Sequence, residues 1–100
     1  VLVITDGANG CYFQIKGDNQ VQHINAYVIE AIDTNGTGDI FHGAYAYGIL
    51  KEMDPIERLR FASAAAASVA VLPHGADRRP NLKSIEEFMS QHPALVISGL

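Results

Sequence analysis

Cysteine is scarce in this sequence. Cys11 stands alone, so no disulfide can form within the chain, which fits a reducing compartment and leads to the expectation of a cytoplasmic protein. Set among strand-forming residues, the thiol reads as a small buried hydrophobe rather than a catalytic group. Basic residues are also few. Seven Lys and Arg face eleven Asp and Glu, the net charge is -4, and Arg78-Arg79 is the single adjacent basic pair. That balance disfavours a nucleic-acid partner. Long apolar runs are missing too: the longest, Ala62 to Leu72, is alanine-rich and too short to span a bilayer. There is no initiator methionine, basic start or signal-peptide architecture. The chain opens instead on Val1-Leu2-Val3-Ile4, which reads as a buried strand with chain before it, and hence as a piece of a larger α/β protein.

What is present is enough for one small domain: 100 residues, 48% of them hydrophobic. Val1 to Thr5, Cys11 to Lys16 and Gln20 to Ile24 read as strands, separated by the turn residues Asp6 to Gly10 and Gly17-Asp18-Asn19. Tyr27 to Ile32 is a further strand-like run. Ile40 to Lys51 has helical spacing. The next helix is announced by Asp54 as N-cap, Pro55 at the first helical position and Glu57 completing a capping box, and it runs to about Leu72. Its Ala64 to Ala67 stretch allows another element to approach closely. A last amphipathic helix begins at Leu82 or Ser84 and ends near Gln91, with Ile85, Phe88 and Met89 facing inward. Ala94 to Leu100 is either a tail or a crossing strand. No repeat and no internal domain boundary is evident.

Chemistry concentrates between the strand-like run and the first helix, in Asp33-Thr34-Asn35-Gly36-Thr37-Gly38-Asp39. Gly36 and Gly38 free the backbone to approach a ligand. Unpaired amides at a helix start, aided by the helix dipole, form an anion site. A carboxylate in that nest, Asp39, is held ionised and can accept a proton. An anion cradle beside a base is what phosphoryl transfer to a hydroxyl requires. Spacing alone leaves a plain strand-to-helix turn equally open. A calcium loop is disfavoured because its twelfth position would be Ala44 rather than glutamate. A Walker A loop fails because no lysine follows the second glycine.

The stretch from Asp33 to Ala44, with Ile40, Phe41, His42 and Gly43, resembles the C-terminal signature of the ribokinase-like (PfkB) carbohydrate kinases. That signature reads Asp-Thr-x-Gly-Ala-Gly-Asp-x-Phe, and Thr37 stands where alanine is usual. The resemblance extends over nearly the whole chain, through Val3 to Gly7 and Gly10, Arg60 to Ser63 and the alanines that follow, and Gly75-Ala76. It implies the nucleotide-binding C-terminal part of a three-layer α/β/α fold, with the sugar-binding half and lid outside residues 1–100.

The resemblance implies an ATP-dependent kinase of a sugar or sugar-like hydroxyl. Asp39 would be the catalytic base, and the amides of Gly36, Thr37 and Gly38 the anion hole. Thr5, Gly7 and Gly10 would lie beside the nucleotide phosphates, and Ser63 and Ala67 would border the adenine. Magnesium would accompany the nucleotide. Asp33, with carbonyls near Asn35, Ala70 and Gly75, would hold potassium; capping of the loop amides is the competing role for Asp33. Pro73 and Arg79 depart from ribokinase itself in this segment. His42 reads as a rim residue rather than a substrate contact. A small-molecule sugar is the implied partner, with no nucleic acid and no membrane, and a homodimer would form through the lid. A nucleoside kinase of the same fold and a non-catalytic nucleotide-binding module are the alternatives, and an isolated piece of this length should be inactive.

Overall fold

Val1 to Val28 and the segment from Ala94 onward form one unit of the computed structural model, and Ile29–Pro93 form a second; the structure describes residues 1–99. The first is a strand unit. Strands β1 (Leu2–Thr5), β2 (Cys11–Gln14), β3 (Gln22–Ile24) and β4 (Ile97–Gly99) make one antiparallel sheet in the order β1-β2-β3-β4. Side chains alternate across a strand, so Cys11 and Phe13 share one face of β2. Both are buried, as are Ile24 of β3 and Leu95 ahead of β4. Burial pushes the Cys11 thiol up to about 11, consistent with an inert packing residue. On the other face Tyr12 pairs with His23, their rings 4.9 Å apart.

One expectation is corrected in this unit, and one alternative left open is decided. β1 is not buried: it pairs only with β2 among the described residues, and Leu2 and Ile4 are 62% and 61% exposed. Leu2 and Ile4 share one face of β1, and that face is left largely uncovered. The end of the chain resolves as a strand, because Asn25 grips Val96 from both sides. Its amide donates to the Val96 carbonyl at 3.1 Å, and its side-chain oxygen accepts from the Val96 amide at 2.6 Å. β4 is thereby laid along β3.

The second is a helix unit of α1 (Thr37–Leu50), α2 (Pro55–Ala70) and α3 (Leu82–Gln91). Asp54 caps α2 as expected, accepting from the Glu57 amide at 2.9 Å, with Pro55 in the first turn. The return bond of a capping box is not formed; Glu57 contributes as an acidic residue in the first turn instead. Asp54→Ala should therefore cost about 1 kcal/mol, read from the chemical-denaturation midpoint of the protein. Leu59, Ala62, Ala65 and Val69 are all at most 1% exposed and recur at helical spacing, so α2 is the spine of this core. The Tyr47 ring of α1 stacks on Phe61 of α2 at 5.5 Å.

Helix α3 begins at Leu82 because Asn81 and Ser84 form a reciprocal capping box, a signal the sequence reading passed over. Ile85 and Phe88 are buried as expected, whereas Met89 is only half-buried. The run from Tyr27 to Ile32 is not a strand. In the helix unit, the amides of Ile32 and Asp33 both donate to the Ala70 carbonyl, at 2.8 and 3.1 Å. At the end of this run it is α2, not a neighbouring strand, that accepts the backbone amides.

Candidate active site

The glycine loop enters α1 more tightly than its spacing suggested. The helix starts at Thr37, so Thr37, Gly38 and Asp39 already lie in its first turn. Gly36 is the N-cap residue, with φ 77° and ψ 0°, a left-handed conformation that suits glycine. A glycine cap offers no side chain to the first amides of the helix. Only two of them find backbone acceptors: Thr37 reaches the Thr34 carbonyl at a long 3.3 Å, and Ile40 donates to Gly36 at 3.1 Å. The amides of Gly38 and Asp39 have no protein acceptor among the described residues. Unsatisfied donors at a helix start concentrate partial positive charge there.

Thr37 spends its hydroxyl locally, donating to the Thr34 carbonyl at 2.9 Å. The hydroxyl thus closes the turn that precedes the helix. Asp39 is exposed, and its carboxylate forms no hydrogen bond or ion pair among the described residues. A free carboxylate therefore stands on the same helical turn as two free amides. His42, one turn further on, is exposed.

Behind the loop lies a polar cluster that the sequence reading did not find. The Asp33 carboxylate accepts from the Asn35 amide at 2.9 Å, so the capping role weighed for Asp33 is present in the structure. The same carboxylate has His74 Nδ1 at 3.4 Å and Arg78 Nη1 at 3.7 Å. The Asn35 amide, with the Arg78 and His74 side chains beside it, holds the Asp33 carboxyl below its ordinary range. Arg78 Nη2 donates to the carbonyls of Asp33 at 2.7 Å and Asn35 at 3.3 Å. Forty-five residues separate Arg78 from Asp33, and the one local hint is the Arg78-Arg79 pair just beyond the Gly75 turn.

The positions assigned to potassium do not fit a monovalent cation as a set. The Asp33 and Asn35 carbonyls are engaged by Arg78, and the Ala70 carbonyl already accepts two amides. Gly75 sits in a left-handed turn at φ 84°. Of the positions assigned to adenine, Ser63 is half-buried on α2, while Ala67, one turn on, is 8% exposed and packs in the core. A cavity of about 360 Å³ in this unit is lined by Ile40, Tyr47, Phe61, Leu82 and Ile85 among others, and it includes none of the expected site residues.

The positions assigned to the nucleotide phosphates lie in the strand unit. Thr5 ends β1 and is exposed. Gly7 opens a single 3₁₀ turn, Gly7–Asn9, with open space around it. Gly10 follows that turn with both backbone groups committed: its amide donates to Gly7 at 3.1 Å and its carbonyl accepts from Asp6 at 2.8 Å. Gly10 is thus held by the turn itself.

Comparison with known proteins gives these arrangements a context. A model described as "pfkB family carbohydrate kinase" matches residues 1–82. A ribokinase of Staphylococcus aureus is 41% identical over 75 residues, covering 75% of this chain and 24% of that protein. A 5-dehydro-2-deoxygluconokinase of Clostridium botulinum is 30% identical over 91 residues, covering 91% of this chain and 26% of that protein. The crystal structure of a putative ribokinase II from E. coli in complex with ATP and Mg2+ superposes with a TM-score of 0.77 at 26% identity, over 90% of this chain and 29% of that one. The chain spans about a quarter of the length of the curated relatives it matches. Its mixed strand-and-helix architecture has the α/β fold of those kinases, as the resemblance implied. From the signature loop and the match across residues 1–82, the chain belongs to the pfkB family of carbohydrate kinases.

Proposed function

We propose that this chain supplies the phosphate end of an ATP-dependent kinase that phosphorylates a hydroxyl of a sugar or sugar-like substrate. The observation that carries the reading is the start of α1, where the Gly38 and Asp39 amides lack acceptors and the Asp39 carboxylate stands free beside them. These groups fit a transferring phosphoryl group and the hydroxyl that attacks it. Asp39 accepts the hydroxyl proton as the oxygen bonds to the γ-phosphorus of ATP and the bond from that phosphorus to the bridging oxygen breaks, releasing ADP. The amides around Gly36 and Gly38 hold the charge that spreads over the phosphoryl oxygens, each such donor contributing about 3 kcal/mol. Magnesium, bound through the nucleotide, neutralises phosphate charge, as the ATP and Mg2+ of the E. coli relative suggest. The family resemblance assigns Thr5 and Gly7 to the phosphates and Ser63 and Ala67 to the adenine; of these Thr5 and Gly7 are exposed, and Ser63 is more exposed than Ala67. The relatives' names point to pentoses and keto-deoxy sugar acids as the first acceptors to try.

The test is ADP release by the full-length protein, with MgATP and a panel of sugars, sugar acids and nucleosides. Turnover with a sugar or sugar acid is expected. Turnover confined to nucleosides would shift the assignment to a nucleoside kinase. Binding of ADP by calorimetry with no turnover on any acceptor would leave a nucleotide-binding module and overturn the proposal.

A further inference from the structure

Three of the four positions that the family resemblance gives to a bound monovalent cation are already engaged within the chain. The engaging group at two of them is itself a cation. Arg78 Nη2 bridges the carbonyls of Asp33 and Asn35, and Nη1 lies 3.7 Å from the Asp33 carboxylate. Nη1 is buried and has no hydrogen-bond acceptor among the described residues, so its charge is answered by that carboxylate. The third position, the Ala70 carbonyl, takes the amides of Ile32 and Asp33. An alkali ion is bound where several oxygens together replace its hydration shell. Here the oxygens are taken, and a second positive charge beside the guanidinium would be repelled.

We infer that Arg78 replaces the monovalent cation in this protein, so that its glycine loop is ordered without potassium. The inference rests on the kinase reading for its consequence in turnover but on unit geometry for its cause. Arg78 acts as a positioning residue. It ties together the two carbonyls that flank Thr34, immediately ahead of the Gly36 cap and the free amides of α1. A planar guanidinium suits this forked task, because it donates in several fixed directions and keeps its charge. His74, which also faces Asp33, is 76% exposed and adds charge only when protonated.

The experiment titrates KCl against choline chloride at constant ionic strength, using the full-length protein. Turnover is expected to change by less than about twofold, whereas an activating ion would typically couple by roughly 5- to 150-fold. Without nucleotide, the melting temperature should respond equally to KCl and choline chloride. A large rise in turnover specific to potassium, or a potassium-specific rise in melting temperature, would overturn the inference. Arg78→Ala should lose about tenfold or more in turnover and regain part of it on adding guanidinium or potassium. Wild-type turnover in Arg78→Ala, still indifferent to potassium, would count against it equally. If the variant does not fold, the titration of the unaltered protein decides. Should no acceptor be phosphorylated, the melting measurement still reads the inference, separately from the failure of the proposed function.

Discussion

Asp39→Asn in the full-length protein should cut phosphoryl transfer by roughly 10²- to 10⁴-fold while leaving nucleotide binding intact. Asparagine keeps the size of the side chain and its place in the first turn of α1, but it cannot take up a proton from an attacking hydroxyl. The carboxylate makes no hydrogen bond or ion pair among the described residues, so its loss breaks no structural contact. Removing a negative charge near the amides should, if anything, ease the approach of phosphates. The measurement is a coupled ADP assay beside calorimetry with ADP and magnesium. Retained turnover would remove Asp39 from the base role. Equal loss of binding and turnover would instead make it part of the nucleotide site.

Gly10→Ala should destabilise the protein by roughly 3 kcal/mol, because overpacking and a disfavoured backbone act at the same atom. Gly10 has φ 92° and ψ -143°, a region open essentially to glycine alone. A methyl group there would overlap the Ile24 carbonyl oxygen and sit 2.9 Å from Asn25 backbone atoms. These neighbours are backbone of β3 and its continuation, which Asn25 ties to Val96, so they cannot rotate away as a side chain would. Gly7→Ala is the control. Its added carbon meets nothing within 4 Å, so only its left-handed conformation, φ 49°, opposes the change. Chemical denaturation of the two variants should show a much lower midpoint for Gly10→Ala. Similar midpoints would mean that the turn after β1 relaxes to admit the methyl group.

Features carried by neighbouring residues were legible in the sequence. Asp54 and Pro55 marked the start of α2 within its own first turn, and the spacing of Ile85 and Phe88 marked the buried face of α3. The turn into α1 was legible because Gly36 takes its left-handed angles through its own backbone. What escaped depended on partners distant in the chain. Tyr27 to Ile32 looked like a strand because it is apolar, yet apolarity does not say whether a ladder or a helix end will satisfy the amides. The Ala70 carbonyl that receives Ile32 and Asp33 lies nearly forty residues on. Arg78 read only as half of an adjacent basic pair, while its neighbour Arg79 pairs locally, with Asp77. Only the folded helix unit separates the two arginines into one that serves the loop and one that does not.

The buried alanines of α2 have an entropic consequence for the loop. Ala62, Ala64, Ala65, Ala67 and Ala70 are buried without surrendering any rotamer freedom, since alanine has none to lose. The helix therefore becomes rigid more cheaply than one packed with leucine or methionine. Its last residue, Ala70, is the point from which the Ile32 and Asp33 amides hang. The loop that precedes Asp39 is thus moored to the part of the helix unit whose ordering demands the least from its side chains.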